Sequence, residues 1–179
     1  MLQIFYTPTT GATASVDAHR LCELVYRNLT GETAQVQKQP SGKPYMNRYQ
    51  ISISHTKALA FAAFSDQPVG LDAEQPRHVA ESLLRRCLAP EELHVCLQSS
   101  QPRLTFLRFW TLKEAYVKYT GEGIRRFPNY LCFSLNGAAA TLQDSPLFFR
   151  TFTVEDAIVS VCTAKPEKIS IEPIFMLDK

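Results

Sequence analysis

The chain has 179 residues, a length that suits one domain or two small fused halves. Its hydrophobic fraction of 45% is ample for a folded core and excludes a disordered chain. The net charge of +2, from 19 basic and 17 acidic residues, is too mild to indicate a nucleic-acid partner.

The cysteines and the first residues indicate a reducing, aqueous setting. The five cysteines are scattered without a Cys-x-x-Cys pair, so neither a zinc knuckle nor a disulfide framework is indicated. The apolar start, residues 1–6, is too short for a signal peptide, and no apolar run approaches the roughly 18 residues of a membrane span. We therefore expect a cytoplasmic protein with buried, reduced thiols and no membrane partner.

The first 67 residues predict a strand, a helix and further strands. Asp17 is a candidate cap for the helix, and Gly31 is placed to end it. The predicted elements are a strand at 2–6, a helix at 17–29, a turn-rich loop at 39–44, and strands at 49–54 and 59–64. Residues 1–67 are therefore predicted to form an N-terminal α+β half.

The remaining residues, 68–179, predict a second α+β half with the same order of elements. The predicted elements are a strand at 69–74, helices at 79–87, 90–98 and 103–120, and strands at 130–135, 147–153, 157–163 and 169–173. No repeat is visible at the level of individual residues. The predicted fold class is α+β, built from two similar halves.

The predicted helix over 109–121 carries charge in an unusual place. One apolar stripe faces the core, and Trp110, Glu114 and Lys118 form a second stripe at four-residue spacing, roughly opposite the first. A glutamate and a lysine one turn apart suit a site that holds a metal and a phosphate. They equally suit a surface ion pair, which contributes only about 0.3–0.5 kcal/mol.

Two carboxylates lie close together on a predicted strand. Asp72 and Glu74 are two residues apart, so their side chains point to the same side of a sheet. Like charges this close repel unless a cation lies between them, and oxygen ligands suit Mg²⁺. The alternative is a strand end that runs into solvent.

Several basic residues are candidate phosphate contacts. His55 ends a predicted strand in a setting of Ser and Thr, and Lys43 lies beside Pro44 in a turn-rich loop. Arg20 and Arg27 share one side of the first helix. A turn histidine bonded to backbone and a solvated helix face are the alternatives. Neither a P-loop nor a Gly-x-Ser-x-Gly elbow is present.

Taken in order, these pieces resemble the 4′-phosphopantetheinyl transferases of the larger, pseudo-dimeric type, which activate carrier proteins. The similarity spans residues 17–128, and the final third agrees only in its strand character. The matching blocks are Gly42-Lys43-Pro44, Ile53-Ser54-His55-Thr56, Val69-Gly70-Leu71-Asp72-Ala73-Glu74, Leu88-Ala89-Pro90-Glu91-Glu92, and Phe109-Trp110-Thr111-Leu112-Lys113-Glu114 through Lys118 and Gly121.

The resemblance implies a fold of two halves related by pseudo-twofold symmetry, with coenzyme A in the cleft between them. It implies that Asp72, Glu74 and Glu114 are the Mg²⁺ ligands. Glu114 also resembles the group that deprotonates the carrier protein's serine, directly or through a water. Lys118 resembles the lysine that contacts the phosphate of coenzyme A and assists the leaving group.

Other family positions carry over with less definite roles. His55 and Lys43 resemble contacts to the nucleotide end of coenzyme A, and Arg27 is a weaker candidate for the same task. Lys113 resembles a lysine of the family motif and is included among the candidate coenzyme A contacts. Glu92 matches a family glutamate near the site without an assigned task.

The implied function is Mg²⁺-dependent transfer of 4′-phosphopantetheine from coenzyme A to a serine of an apo acyl or peptidyl carrier protein, with release of 3′,5′-ADP. The expected protein is a monomer without nucleic-acid or membrane partners. Two alternatives stay open: a non-catalytic relative that binds coenzyme A or a carrier protein, and an unrelated metal-dependent phosphohydrolase that uses the same carboxylates.

The chain departs from the family pattern in two places. Ser52 stands where the family usually has Asn, so a hydroxyl must supply the hydrogen bonds of an amide. The basic stretch that longer members place before the first helix is missing, so other residues are expected to complete the nucleotide clamp.

Overall fold

The computed structural model describes residues 1–123 and 127–176. In chain order its elements are β1 (Leu2–Pro8), α1 (Ala14–Thr30), β2 (Gln37–Lys38), β3 (Pro44–Met46), β4 (Tyr49–His55), β5 (Leu59–Ser65), β6 (Val69–Glu74), α2 (Glu81–Cys87), α3 (Pro90–Gln98), α4 (Pro102–Thr120), β7 (Phe133–Asn136), β8 (Ala139–Leu142), β9 (Phe148–Val154), β10 (Ala157–Thr163) and β11 (Ile169–Pro173). The predicted α+β class is confirmed. Within the described ranges, no helix is long and apolar enough to cross a membrane.

The strands form two sheets that pack face to face. The first sheet has the order β11-β1-β5-β4-β3-β2, and the second has the order β6-β10-β9-β8-β7. Strand β1 pairs with β11 in parallel and with β5 in antiparallel orientation. All other strand pairs of the two sheets are antiparallel.

Three apolar clusters stack the layers in the order helix, sheet, sheet, helix. Leu21, Val25 and Tyr26 of α1 pack on the outer face of the first sheet. Between the sheets, alternate residues of β1 and β5 meet alternate residues of β6 and β10. On the far side of the second sheet, α4 contributes Phe106 and Phe109 to a core shared with the neighbouring strands. Both faces of each sheet are thus covered, which explains why β5 and β10 are buried at every position.

The first helix begins earlier than predicted. It starts at Ala14, and Asp17 lies in its first turn, where the carboxylate accepts a hydrogen bond from the Thr9 hydroxyl. Gly31 ends the helix as predicted, because it adopts the left-handed conformation and donates its N–H to the Arg27 carbonyl.

The predicted boundary between residues 67 and 68 falls in the connection between β5 and β6, where the chain passes from one sheet to the other. Among the described elements, β11 alone crosses back, since Leu2 pairs with Ile169 and Ile4 with Ile171. The division into halves of 1–67 and 68–179 stays a prediction, and β11, which lies beyond this boundary in the sequence, belongs to the first sheet.

Strand β6 and helix α4 approach each other at Gly70. The pleat turns Val69, Leu71 and Ala73 toward the first sheet, so Gly70, Asp72 and Glu74 face α4. A Cβ on Gly70 would lie 1.9 Å from the Ala115 carbonyl oxygen and 2.6 Å from the Tyr119 nitrogen. Only a residue without a side chain permits this contact between the backbones of the helix and the strand.

Substituting Gly70 with Ala is expected to destabilise the protein by at least the roughly 1–3 kcal/mol typical of overpacking, because the clashing atoms are backbone and cannot rotate away. Urea denaturation measures the free energy of unfolding. Gly11→Ala is the matched control, since a Cβ there meets no atom within 4 Å and the change should stay within about 0.5 kcal/mol. Equal losses in both variants would contradict the close contact.

Candidate active site

The face of α4 that carries Trp110, Glu114 and Lys118 meets the carboxylates of β6. The Lys118 ammonium donates to Asp72 Oδ1 at 2.8 Å and to the Ile53 carbonyl at 3.1 Å. The Trp110 indole N–H donates to Glu74 Oε1 at 3.3 Å. Glu114 lies between these contacts on the helix and is electrostatically coupled to both carboxylates of β6. The structure therefore brings the predicted metal and catalytic residues to one place.

Negative charge exceeds positive charge in this cluster. Burial raises the pKa of Glu114 to about 7, and the neighbouring Asp72 charge adds to the rise. Burial also raises the pKa of Glu74, again with a contribution from Asp72. Lys118 offsets both effects only in part. The site thus holds carboxyl groups whose ionisation is disfavoured unless further positive charge is supplied.

The donor atoms fit a hard divalent cation. Three carboxyl groups could supply oxygen ligands, and the buried Asp72 Oδ2 has no hydrogen-bond partner among the described residues. Along the described parts of the chain, no group of three or more His, Cys, Asp or Glu side chains is arranged closely enough to hold a metal as it stands. The Lys118 ammonium already contacts the Oδ1 atom of Asp72 at 2.8 Å.

A cavity of about 280 Å³ opens beside the cluster, between the loop before β3, strand β4 and helix α4. Lys43, Ser52, Glu114, Lys118 and Gly121 are among its lining residues. Among the described residues it therefore combines two ammonium groups and one carboxyl group, from residues on both sides of the predicted boundary at 67 and 68. This is a suitable composition for a phosphorylated ligand with a bound cation.

Lys43 reaches the cavity from the loop before β3. Its ammonium donates to the Tyr119 carbonyl at 2.7 Å and lies 5.5 Å from the centre of the Tyr119 ring. This carbonyl belongs to the last turn of α4, where a cation is favoured by the helix dipole. Burial lowers the pKa of Lys43. The predicted phosphate contact is thus held at the end of the helix that carries Glu114 and Lys118.

His55 and Arg27 do not line this cavity. His55 is exposed at the end of β4, one residue beyond Ser54. Arg27 is exposed in the last turn of α1, and that helix covers the face of the first sheet that points away from β6. The structure brings together the predicted residues of β6, α4 and the Lys43 loop, and it leaves these two outside.

Lys113 is directed away from the cavity although it precedes Glu114. Its side chain is fully buried, and its ammonium contacts Glu92 Oε2 at 2.7 Å, the Pro128 carbonyl at 2.9 Å and the Leu131 carbonyl at 2.5 Å. Adjacent helical residues differ by about 100° in direction, which explains the separation. All three N–H donors of this lysine are used inside the protein.

Glu92 completes the same buried network. Its Oε2 accepts the Ala89 N–H at 2.8 Å, at the start of α3, and its Oε1 accepts the Phe133 N–H at 2.8 Å. The Lys113–Glu92 pair therefore ties α3 and α4 to the chain around 128–133. The two family-motif residues without a definite role thus serve as a structural link in this arrangement.

Sequence reasoning missed Ser54 as a partner of the site. Its hydroxyl donates to Asp72 Oδ1 at 2.9 Å and accepts the Ala73 N–H at 3.1 Å. The sequence does indicate that Ser52 and Ser54 lie on the same face of a strand, because they alternate with Ile51 and Ile53. The sequence does not show that β6 lies on that face.

Replacing Lys113 with Met is expected to cost about 3–5 kcal/mol of unfolding free energy, because the Glu92 carboxylate would remain buried without its counter-charge. The double variant Lys113→Met with Glu92→Gln should recover part of this loss. Arg85→Met is the control, since it breaks an exposed ion pair with Glu81 and should cost less than about 1 kcal/mol. Urea denaturation distinguishes the variants, and equal losses for both single variants would contradict the buried link.

Glu114→Gln is expected to stabilise the metal-free protein in a pH-dependent way. The pKa of Glu114 rises from 4.5 to about 7 on folding, so ionisation opposes folding above pH 4.5, and the penalty is complete above pH 7. The gain from the variant should grow from below about 1 kcal/mol at pH 5 to at most about 3 kcal/mol at pH 8. Denaturation in chelator-containing buffer measures this gain, and an equal gain at both pH values would contradict the burial of a charged carboxylate.

Comparison with known proteins agrees with this geometry. The family model described as the 4′-phosphopantetheinyl transferase superfamily matches residues 68–162, which include β6 and α4. The chain is 26% identical over 171 residues to the 4′-phosphopantetheinyl transferase psf-1 of Bacillus pumilus, and the match covers 84% of this chain and 73% of that protein. It is also 26% identical over 171 residues to the 4′-phosphopantetheinyl transferase Sfp of Bacillus subtilis (strain 168), with 84% and 76% covered.

Among solved structures, a holo-[acyl-carrier-protein] synthase from Neisseria meningitidis aligns with 55% of this chain and 98% of its own, with a TM-score of 0.47 and 18% sequence identity. The family model itself spans more than half of the present chain and contains the carboxylates and the lysine of the site. The chain therefore belongs to the 4′-phosphopantetheinyl transferase superfamily.

Proposed function

We propose that this protein is a 4′-phosphopantetheinyl transferase that moves the phosphopantetheine group of coenzyme A to a serine of an apo carrier protein. The observation that carries the proposal is the cluster of Asp72, Glu74, Glu114 and Lys118 inside the segment that matches the family model. Coenzyme A is polyanionic, and the lysines around the cavity supply positive charge for it without a strongly basic overall composition.

In the proposed reaction, the serine oxygen of the carrier protein attacks the β-phosphorus of coenzyme A. A new serine O–P bond forms, the P–O bond of the pyrophosphate breaks, and its electron pair leaves with 3′,5′-ADP. The serine proton passes to Glu114, directly or through a water. A serine hydroxyl is a poor nucleophile until a base takes its proton, and this is the task proposed for the Glu114 carboxylate.

Asp72, Glu74 and Glu114 would hold a Mg²⁺ ion, and the orphaned Asp72 Oδ2 together with the raised pKa values supports this assignment. The cation supplies charge neutralisation for the pyrophosphate oxygens. Lys118 would place its ammonium where negative charge develops on the leaving group, since it already lies between the carboxylates and the cavity.

Among the remaining basic residues, Lys43 is the proposed phosphate contact, because it lines the cavity. His55 is kept as the proposed contact to the nucleotide end because of the family resemblance, and it is exposed at the end of β4, one residue beyond Ser54. Arg27 receives no such support from its place on α1. Lys113 is not proposed as a coenzyme A contact, since its three donors are engaged in the buried link with Glu92.

We also propose that the reaction requires Mg²⁺. The protein is further proposed to be a cytoplasmic monomer without nucleic-acid or membrane partners, as expected from the sequence. The net charge of +2 supports the lack of a nucleic-acid partner. The carrier protein is proposed to be an acyl or peptidyl carrier, and a panel of apo carriers of both kinds identifies which is loaded.

The test is transfer to apo carrier proteins, followed by mass spectrometry of the intact carrier. The wild type is expected to add one phosphopantetheine in the presence of Mg²⁺ and none in excess chelator. Glu114→Gln should reduce the loading rate by at least about 100-fold, the scale of a lost general base. Glu172→Gln is the matched control, since this exposed glutamate lies on β11.

Two outcomes separate the alternatives from the proposal. Tight coenzyme A binding without a mass shift on any carrier would favour a non-catalytic relative. Release of free phosphopantetheine without an acceptor would favour a phosphohydrolase. Full loading activity in Glu114→Gln would contradict the role assigned to this residue.

A further inference from the structure

The outer edge of β6 is paired in an unusual way. Strand β6 ends the second sheet, and its backbone ladder runs only along β10. The other edge of such a strand ordinarily presents free N–H and C=O groups to solvent. Here that edge is buried against the face of β4, and Leu71 and Ala73 are 0% and 2% exposed.

Two serine hydroxyls replace the missing neighbouring strand. Ser52 Oγ accepts the Leu71 N–H at 2.9 Å, and Ser54 Oγ accepts the Ala73 N–H at 3.1 Å. The two serines are two residues apart on β4, and the two N–H groups are two residues apart on β6. Successive hydroxyls of β4 therefore bind successive N–H groups at the outer edge of β6. The pairing joins the first sheet to the second at the strand that carries Asp72.

The two serines differ in the acceptor to which each hydroxyl donates its own proton. Ser52 directs its remaining contact to the Leu71 carbonyl at 3.4 Å, so both of its hydrogen bonds are to the backbone of β6. Ser54 donates its proton to Asp72 Oδ1 at 2.9 Å. Lys118 donates to the same oxygen at 2.8 Å, while Asp72 Oδ2 has no hydrogen-bond partner although it is buried. The carboxylate is therefore oriented: its Oδ1 accepts two hydrogen bonds, and its buried Oδ2 accepts none from the described residues.

The short, buried hydroxyl is the more rigid of the two donors. Ser54 is 6% exposed, and its oxygen is also fixed by the Ala73 N–H. The Lys118 side chain is 30% exposed and has four rotatable carbons, so it can turn toward a phosphate. When Lys118 turns away, Ser54 still fixes which oxygen of Asp72 is engaged.

We propose that Ser54 is a positioning residue that holds Asp72 Oδ1 and thereby presents Oδ2 to the divalent cation, while Ser52 anchors only the backbone of β6. The inference rests on the proposed function for the identity of that cation. Hydrogen-bond partners of metal ligands typically change metal affinity by about 10–100-fold when they are removed, which sets the expected effect.

The experiment compares Mn²⁺ binding, followed by electron paramagnetic resonance, in the wild type, Ser54→Ala and Ser52→Ala. All three are measured without coenzyme A, so that the place of Ser52 in the cavity wall does not enter the comparison. Both variants remove one acceptor from a backbone N–H of β6, so similar losses of stability are expected. Ser54→Ala should weaken Mn²⁺ binding by about 10–100-fold, and Ser52→Ala by less than about threefold. Ser54→Thr, which keeps the hydroxyl, should bind Mn²⁺ nearly as the wild type does.

Several results would overturn the inference. Wild-type Mn²⁺ affinity in folded Ser54→Ala would exclude the positioning role, and equal weakening in both alanine variants would assign the effect to the junction as a whole. If Ser54→Ala does not fold, Ser54→Cys replaces it, and an unchanged Mn²⁺ affinity in that variant also overturns the inference. If the wild type loads carriers and Ser54→Ala binds Mn²⁺ with normal affinity, only this inference fails. If the wild type neither binds Mn²⁺ nor loads carriers, the proposed function fails.

Discussion

The contact between the backbone of α4 and Gly70 of β6 determines where every other part of the site can lie. Because no side chain separates helix from strand, Glu114 and Lys118 reach the carboxylates that follow Gly70 on the same face. Any larger residue would move the helix outward and open the space between the charges. The apolar layers on both sides of the second sheet hold this contact in place.

The same contact creates an electrostatic cost that the rest of the fold has to offset. Three carboxyl groups and one ammonium share a partly dehydrated space, and the pKa of Glu114 rises because its ionised form is poorly compensated there. The buried Lys113–Glu92 pair lies on the other side of α4 with all its donors satisfied. One helix thus combines a fully compensated ion pair that supports the structure with an under-compensated cluster suited to binding a cation and a polyanion.

Sequence patterns were sufficient to predict strands and the direction of their side chains where buried and exposed residues alternate along the strand. The alternation of β6 predicted that Asp72 and Glu74 share a face, and β10 and β11 have the predicted bounds. The burial of Lys113 could not be predicted in this way. Nothing in the sequence around this charged helical residue indicates that it is fully buried against Glu92. The short strands β2, β3 and β8 were also missed, since pairing with neighbours, rather than composition, makes them strands. The serine contacts of β4 depend likewise on which strand lies opposite.

The parallel pairing of β1 with β11 has a consequence for how the chain folds. One edge of β1 can pair with β5 early in synthesis, but its other edge needs residues 169–173, which follow the whole second sheet. Contacts between such distant parts of a chain form late, because a long loop must close first. The first sheet therefore keeps an open, aggregation-prone edge while the nascent chain is still short. The first sheet thus depends on the last strand of the described chain to complete its folding.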